Sequence, residues 1–279
     1  MFTVYSVLLA SLLSTSSAGS DPQSFVTGLA WYSEGEFERA RQIWAPLARD
    51  GSARAQYAIA VMYELGQGTE TNYQTAAYWY QQSARQGYAL ARNNLGMLYE
   101  DGLGVPQSYE TAKRFYEASA RQGVPSAQYN LAIMYYQGLG TKRDYREAAN
   151  WLYRAAERGL TPAQYNLGVM FKEGRGVKQD HVEAAKWFIA AGRLGSPNAT
   201  HGLEVLLADK QQLVLTHSVA IHSEPDIHSR VVDELRAGEH IYVLEHDDDW
   251  LAVISPTQKT VGWLPATALE RTTLTSSID

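Results

Sequence analysis

The sequence predicts an all-α solenoid of αα-hairpin repeats over most of the 279-residue chain, followed by a small all-β barrel. Three observations predict it. Glycines at 51, 87, 123, 159 and 195, and alanines at 55, 91, 127, 163 and 199, recur every 36 residues without losing frame. Within each period the apolar residues fall into two segments at helical spacing, separated by a Gly-x-Gly pair. After Lys210 the period stops, and short runs rich in β-branched and aromatic residues take over.

From the start of the chain, residues 4–13 form an apolar run followed by small residues, with Ser16 and Ala18 spaced for signal peptidase. This predicts an export signal over residues 1–18, cut near Ala18, and a periplasmic or otherwise exported protein. No Lys or Arg precedes the run, so an uncleaved apolar N-terminus stays open as an alternative. No later stretch approaches about 18 consecutive apolar residues, so no membrane span is expected.

Residues 25–210 carry the helical array. In one unit Ala127, Leu131, Met134 and Tyr135 line one helix face, and Tyr145, Ala148, Leu152 and Ala155 line another. Gly138 and Gly140 lie between them, matched by Gly66/Gly68, Gly102/Gly104 and Gly174/Gly176, where a helix must end and the chain reverse through positive φ. Small residues at Ala84, Ala120, Ala156 and Gly192 are expected at close helix contacts, beside large ones at Trp79, Phe115, Trp151 and Trp187 that fill the gaps.

These residues carry a family resemblance. The pattern Ala-x-x-x-Leu-(Gly/Ala)-x-Met-Tyr-x-x-Gly-x-Gly, then Tyr, two Ala, an aromatic residue and Ala-x-x-Gly, resembles the Sel-one-like repeat, a longer-loop relative of the tetratricopeptide repeat. Four full copies begin near Ala55, Ala91, Ala127 and Ala163. A first hairpin without the Gly-x-Gly insertion precedes them, and a half-repeat from Ala199 to Lys210 follows. The resemblance implies a tetratricopeptide-like superhelix.

Beyond Lys210, residues 211–270 read as five strands, with the acidic run before Trp250 as a hairpin turn. Ser223-Glu224-Pro225, Leu235, Ala237-Gly238-Glu239, Asp249-Trp250 and Gly262-Trp263-Leu264 resemble, in order, the bacterial SH3-type domain, and Tyr242 and Trp250 are expected on its surface. Ala220, Ile221 and His222 stand where that family more often has asparagine, valine and arginine. Residues 271–279 are a tail.

Composition excludes several functions. Without cysteine there is no disulfide framework, thiolate metal site, cysteine nucleophile or lipidation motif. Residues 21–210 hold 19 acidic and 20 basic side chains, whereas residues 211–279 hold 11 and 4, a net −7. No basic stripe with interleaved aromatics offers phosphate neutralisation, so nucleic acid is not an expected partner. The Gly-x-Gly pairs lack a following Gly-Lys-Ser/Thr, and no Gly-x-Ser-x-Gly or Ser-x-x-Lys occurs. His217, His222, His228, His240 and His246 show no metal-ligand spacing. No catalytic, cofactor or metal residue is therefore assigned, and the protein is expected not to be an enzyme.

The remaining candidates are first-helix residues outside the core pattern. Tyr57, Asn93, Tyr129 and Tyr165, with Tyr136 and the asparagine row Asn94, Asn130 and Asn166, are placed along a groove suited to a protein or peptide partner. The asparagines serve equally well as ties between adjacent repeats. The functional expectation is an exported, non-enzymatic adaptor of the bacterial envelope, its groove gripping a protein and its SH3-type domain docking to cell wall or a second protein. The alternatives are an envelope protein that binds or processes peptidoglycan fragments, and a mainly structural envelope protein.

Overall fold

The computed structural model describes residues 22–269, so the predicted export signal at 1–18 and the tail at 271–279 lie outside the described residues. The chain divides into two compact units, residues 1–143 and 144–279. Within the first stand α1 (Pro22–Ser33), α2 (Phe37–Arg49), α3 (Ala53–Leu65), α4 (Tyr73–Arg85), α5 (Ala89–Asp101), α6 (Tyr109–Ala120) and α7 (Pro125–Gln137), each packed on its sequence neighbours.

Each hairpin is punctuated at both ends of its turn. The first helix of a repeat stops at a glycine in the left-handed region, such as Gly66 at φ 68°, whose N–H bonds back to the Met62 carbonyl. The second helix starts at a side-chain cap: Asn72 accepts from the Thr75 N–H at 2.9 Å and Ser108 from the Thr111 N–H at 3.2 Å. Each such cap is worth about 1 kcal/mol. A Cβ on Gly104 would collide with the Tyr73 backbone at the start of α4, and one on Gly140 with that of Tyr109 at the start of α6. The second glycine of each pair thus lets a loop press on the preceding hairpin.

The core repeats small against large, with Ala84, Ala120 and Ala156 buried as expected but with different large residues. Tyr80 and Tyr116 are fully buried, while Trp79 and Phe115, one position earlier, are only half-buried. Opposite Tyr116 stands Gly96, where a Cβ would lie 2.8 Å from the ring. The same device opens the array, where Gly28 makes room for the buried Trp44. Buried polar side chains tie helices through backbone carbonyls: Ser83 Oγ donates to Ala53 O and Ser119 Oγ to Ala89 O, both at 2.7 Å.

The second unit contains α8 (Tyr145–Glu157), α9 (Thr161–Glu173), α10 (His181–Arg193) and α11 (Pro197–Leu207), then strands β1 (Gln212–Val214), β2 (Val219–His222), β3 (Val231–Leu235), β4 (His240–Asp247), β5 (Trp250–Ser255) and β6 (Thr260–Pro265). Here too the expected tryptophans are displaced from the core. Leu152 and Phe188 are buried, whereas Trp151 and Trp187 are half-buried and Trp151 carries the Arg154 guanidinium 4.8 Å over its ring. Phe188 faces Gly168, where a Cβ would lie 2.8 Å from the ring.

The strands form one antiparallel sheet in the order β1-β4-β5-β6-β2-β3. There are six rather than five because the first run breaks at residues 215–218 into β1 and β2. The acidic run turns as expected, with Asp247 paired to Trp250 and Asp248 at φ 49°. Both faces of the sheet are covered. Leu213, Ile221, Ile241, Val253 and Leu264 form the barrel's own core, while Leu244, Ala252, Ile254 and Val261 share a second core with Val182, Ala185 and Ile189 of α10. Polar contacts join the same surfaces: the His181 N–H donates to Glu245 Oε1 at 2.9 Å, and Arg193 Nη2 donates to Lys259 O at 2.8 Å.

Candidate partner-binding surfaces

The predicted groove residues separate by depth. Tyr57 is 4% exposed, with its ring 5.7 Å from that of Tyr80 and 5.2 Å from that of Tyr88, and Asn93 is also 4% exposed. Neither offers surface to a partner in the folded array, so both assignments are corrected to packing residues. Tyr88, from the next turn, covers Tyr57, a tertiary neighbour that the repeat pattern does not announce. Asn94, Tyr129, Asn130 and Tyr136 remain half-buried. Met97, one turn after Asn93 on α5, is 39% exposed and is the accessible apolar side chain of that row.

Geometry gives the asparagines their structural duty. Asn130 Nδ2 donates to Asn93 Oδ1 at 3.3 Å, Asn93 Nδ2 donates to Asn94 Oδ1 at 3.2 Å, and Asn94 Nδ2 donates to the Tyr80 hydroxyl at 3.0 Å. That hydroxyl in turn donates to Glu64 Oε2. Four donations in one direction therefore run from α7 through α5 and α4 to a carboxylate on α3, each polarising the next. In the following repeat the Tyr116 hydroxyl donates to Glu100 Oε2 at 2.6 Å. The tyrosine–glutamate pairing was missed from sequence, although the two residue types recur together 36 residues on.

Burial raises Glu64 above the ordinary carboxylate value near 4.5, against the opposing hydrogen bond from Tyr80, and burial raises the Tyr80 hydroxyl well above its own. An acid raised in the folded state supplies stability that is fully present below the unfolded value and is lost as pH rises through the folded one. Wild type should therefore lose stability relative to Glu64→Gln as pH rises from the ordinary carboxylate value near 4.5 through the raised folded one. Urea midpoints of both proteins across that range check it; a constant difference would contradict the shift.

In the second unit Tyr165 and Asn166 are half-buried, with the Tyr165 ring 5.9 Å from that of Phe188. On the barrel, Trp250 meets the buried His222 ring edge-to-face at 5.5 Å, and His222 Nδ1 lies 3.3 Å from the Ser229 carbonyl, to which it donates. Tyr242, expected on an outward surface, instead packs toward the Phe188 cluster. It lines a cleft of about 850 Å³ between α10, α11 and the sheet. Among the described residues no cluster of three His, Asp or Glu is placed to hold a metal, and no helix is long and apolar enough to cross a membrane.

The Sel1 repeat model matches residues 53–88, 89–124, 125–160 and 161–196. The chain belongs to the Sel1 repeat family. The four matches coincide with the four hairpins that carry the Gly-x-Gly turn, and residues 221–269 match the bacterial dipeptidyl-peptidase Sh3 domain. Among solved structures, a Sel1 repeat protein from Oxalobacter formigenes is 31% identical with a TM-score of 0.61, over 65% of this chain and 75% of that one. The Escherichia coli protein c5321, described as a protective antigen of uropathogenic strains displaying an SLR fold, is 29% identical with a TM-score of 0.63. That match covers 67% of this chain but 41% of c5321, so the chain spans less than half of that relative. No curated protein matches the chain. Sel1 repeats joined to a bacterial SH3 domain are the parts of a protein-interaction module.

Proposed function

We propose that this Sel1 repeat protein is an exported, non-enzymatic adaptor of the bacterial envelope that holds an extended segment of a protein partner. The observation that carries the reading is the row on α5 and α7, where Asn94, Met97, Tyr129, Asn130 and Tyr136 keep part of their surface open while hydrogen bonds fix the asparagine amides in one orientation. Oriented amides offer donors and acceptors to a peptide backbone, and tyrosines add rigid area at small entropic cost. Preset side chains spare a ligand the cost of ordering them. Tyr165 and Asn166 supply the corresponding chemistry in the second unit.

Export rests on the apolar run of residues 4–13 and the small residues before Ala18, and an envelope role is consistent with the bacterial character of the SH3 match. In this reading the SH3-type domain docks to cell wall or to a second protein. Tyr129→Ala in the full chain should weaken capture of the partner from an envelope fraction by more than about 1 kcal/mol and leave the melting temperature nearly unchanged. A lower melting temperature with unchanged capture would make Tyr129 a packing residue. The full chain should also co-sediment with isolated sacculi, and failure to do so removes the wall-docking role.

A further inference from the structure

The cleft of the second unit is a built site of a different kind from the tyrosine and asparagine row. Its apolar floor is made by Phe188 and Ile189 of α10, Leu203 and Leu207 of α11 and Tyr242 of β4. Its volume of about 850 Å³ falls in the range of ligand clefts, about 300–1,000 Å³. One wall is an outer strand: among the described residues β1 pairs with β4 alone, and the bonds Val243 N–H to Gln211 O and Leu215 N–H to Glu239 O turn alternate main-chain groups inward. The main-chain groups of Gln212, which lines the cleft, therefore point to the open edge, where a strand can add.

The rim is cationic: Lys210 from the end of the helical part and Lys259 from the barrel both line the cleft, although residues 211–279 carry a net −7. Lys259 stands at the tip of the β5–β6 hairpin with φ 54°, a conformation unusual for a side-chain-bearing residue. Its carbonyl is held by Arg193, which places a second cation beside it, and Lys210 lines the same cleft with its Nζ 3.3 Å from His181 Nδ1. Glu204 is the acidic side chain of the lining and lies 3.5 Å from His201 Nδ1. We infer that the cleft takes an extended acidic peptide, laid along β1 with an apolar side chain on the floor and a carboxylate against Lys259. This goes beyond the function proposed above, because it uses none of the groove residues and gives the junction of helices and barrel a ligand of its own.

Gly192 supplies the test. It lines the cleft from α10, and a Cβ there would meet Thr200 Oγ1 at 3.8 Å and nothing closer, so a larger side chain fits the helix and fills the cleft. The probe is a fluorescein-labelled hexapeptide alternating leucine and aspartate, compared with its leucine–lysine counterpart by anisotropy on the full chain. The acidic peptide should bind at least about tenfold more tightly than the lysine peptide at low salt. Gly192→Leu should weaken it about tenfold or more without lowering the melting temperature, and Lys259→Glu should remove the preference for acid. Thr200→Trp, which fills the cleft from α11, replaces Gly192→Leu if that variant does not fold. Equal binding of both peptides, no binding of either, or binding that survives the filled cleft would overturn the inference.

Discussion

Tyr116→Ala should destabilise the protein by about 3–5 kcal/mol. Tyr116 is fully buried, its ring fills the space that Gly96 leaves, and its hydroxyl donates to Glu100. Alanine there would leave an aromatic-sized cavity and remove the donor to a carboxylate. Phe115→Ala, one position earlier, should cost much less, because Phe115 is half-buried and stacks on Tyr99 at 5.7 Å. Denaturant midpoints of the two variants side by side decide the matter. Equal losses would mean that the core register is not the one described.

Ending the chain at Lys210 should destabilise helices α10 and α11 by several kcal/mol rather than release two independent pieces. The change of composition at that point suggests separate folding, but Val182, Ala185 and Ile189 share a core with Leu244, Ala252, Ile254 and Val261. Returning two or three aliphatic side chains to water costs about 1.5–3 kcal/mol each. The truncation also removes the carboxylate that accepts from the His181 N–H. Hydrogen exchange should show faster exchange in α10 and α11 of the shortened chain, with α3 to α6 unaffected. Unchanged protection in α10 would mean that the barrel only rests on the array.

How far these features could be read from sequence depended on whether they recur. The 36-residue step fixed the helices and their turns, because each Gly-x-Gly pair must adopt positive φ and each second glycine meets a backbone. The caps at Asn72, Ser108, Asp144 and Asp180 recur at the same step and were equally readable. Which of two adjacent large residues turns inward was not, since Trp79 and Tyr80 lie only about 100° apart around a helix and both are apolar enough to be core. Tyr57 and Tyr129 occupy equivalent positions, yet only the former is covered, and Tyr88 is the reason. Whether the barrel packs on the last hairpin could not be decided from sequence, because a strand such as β5, apolar on both sides, reads the same whether its outer face meets helices or another partner.

The most direct test of the adaptor reading is photo-crosslinking in the envelope of the producing cell. A photoreactive amino acid would replace Tyr129 or Tyr136 in the open row, Tyr57 in the core, or Tyr78, which is 54% exposed on the second helix of its hairpin. One discrete crosslinked species is expected from positions 129 and 136, and none from 57 or 78. Crosslinks that form as readily from position 78, or none from 129 and 136, would contradict it.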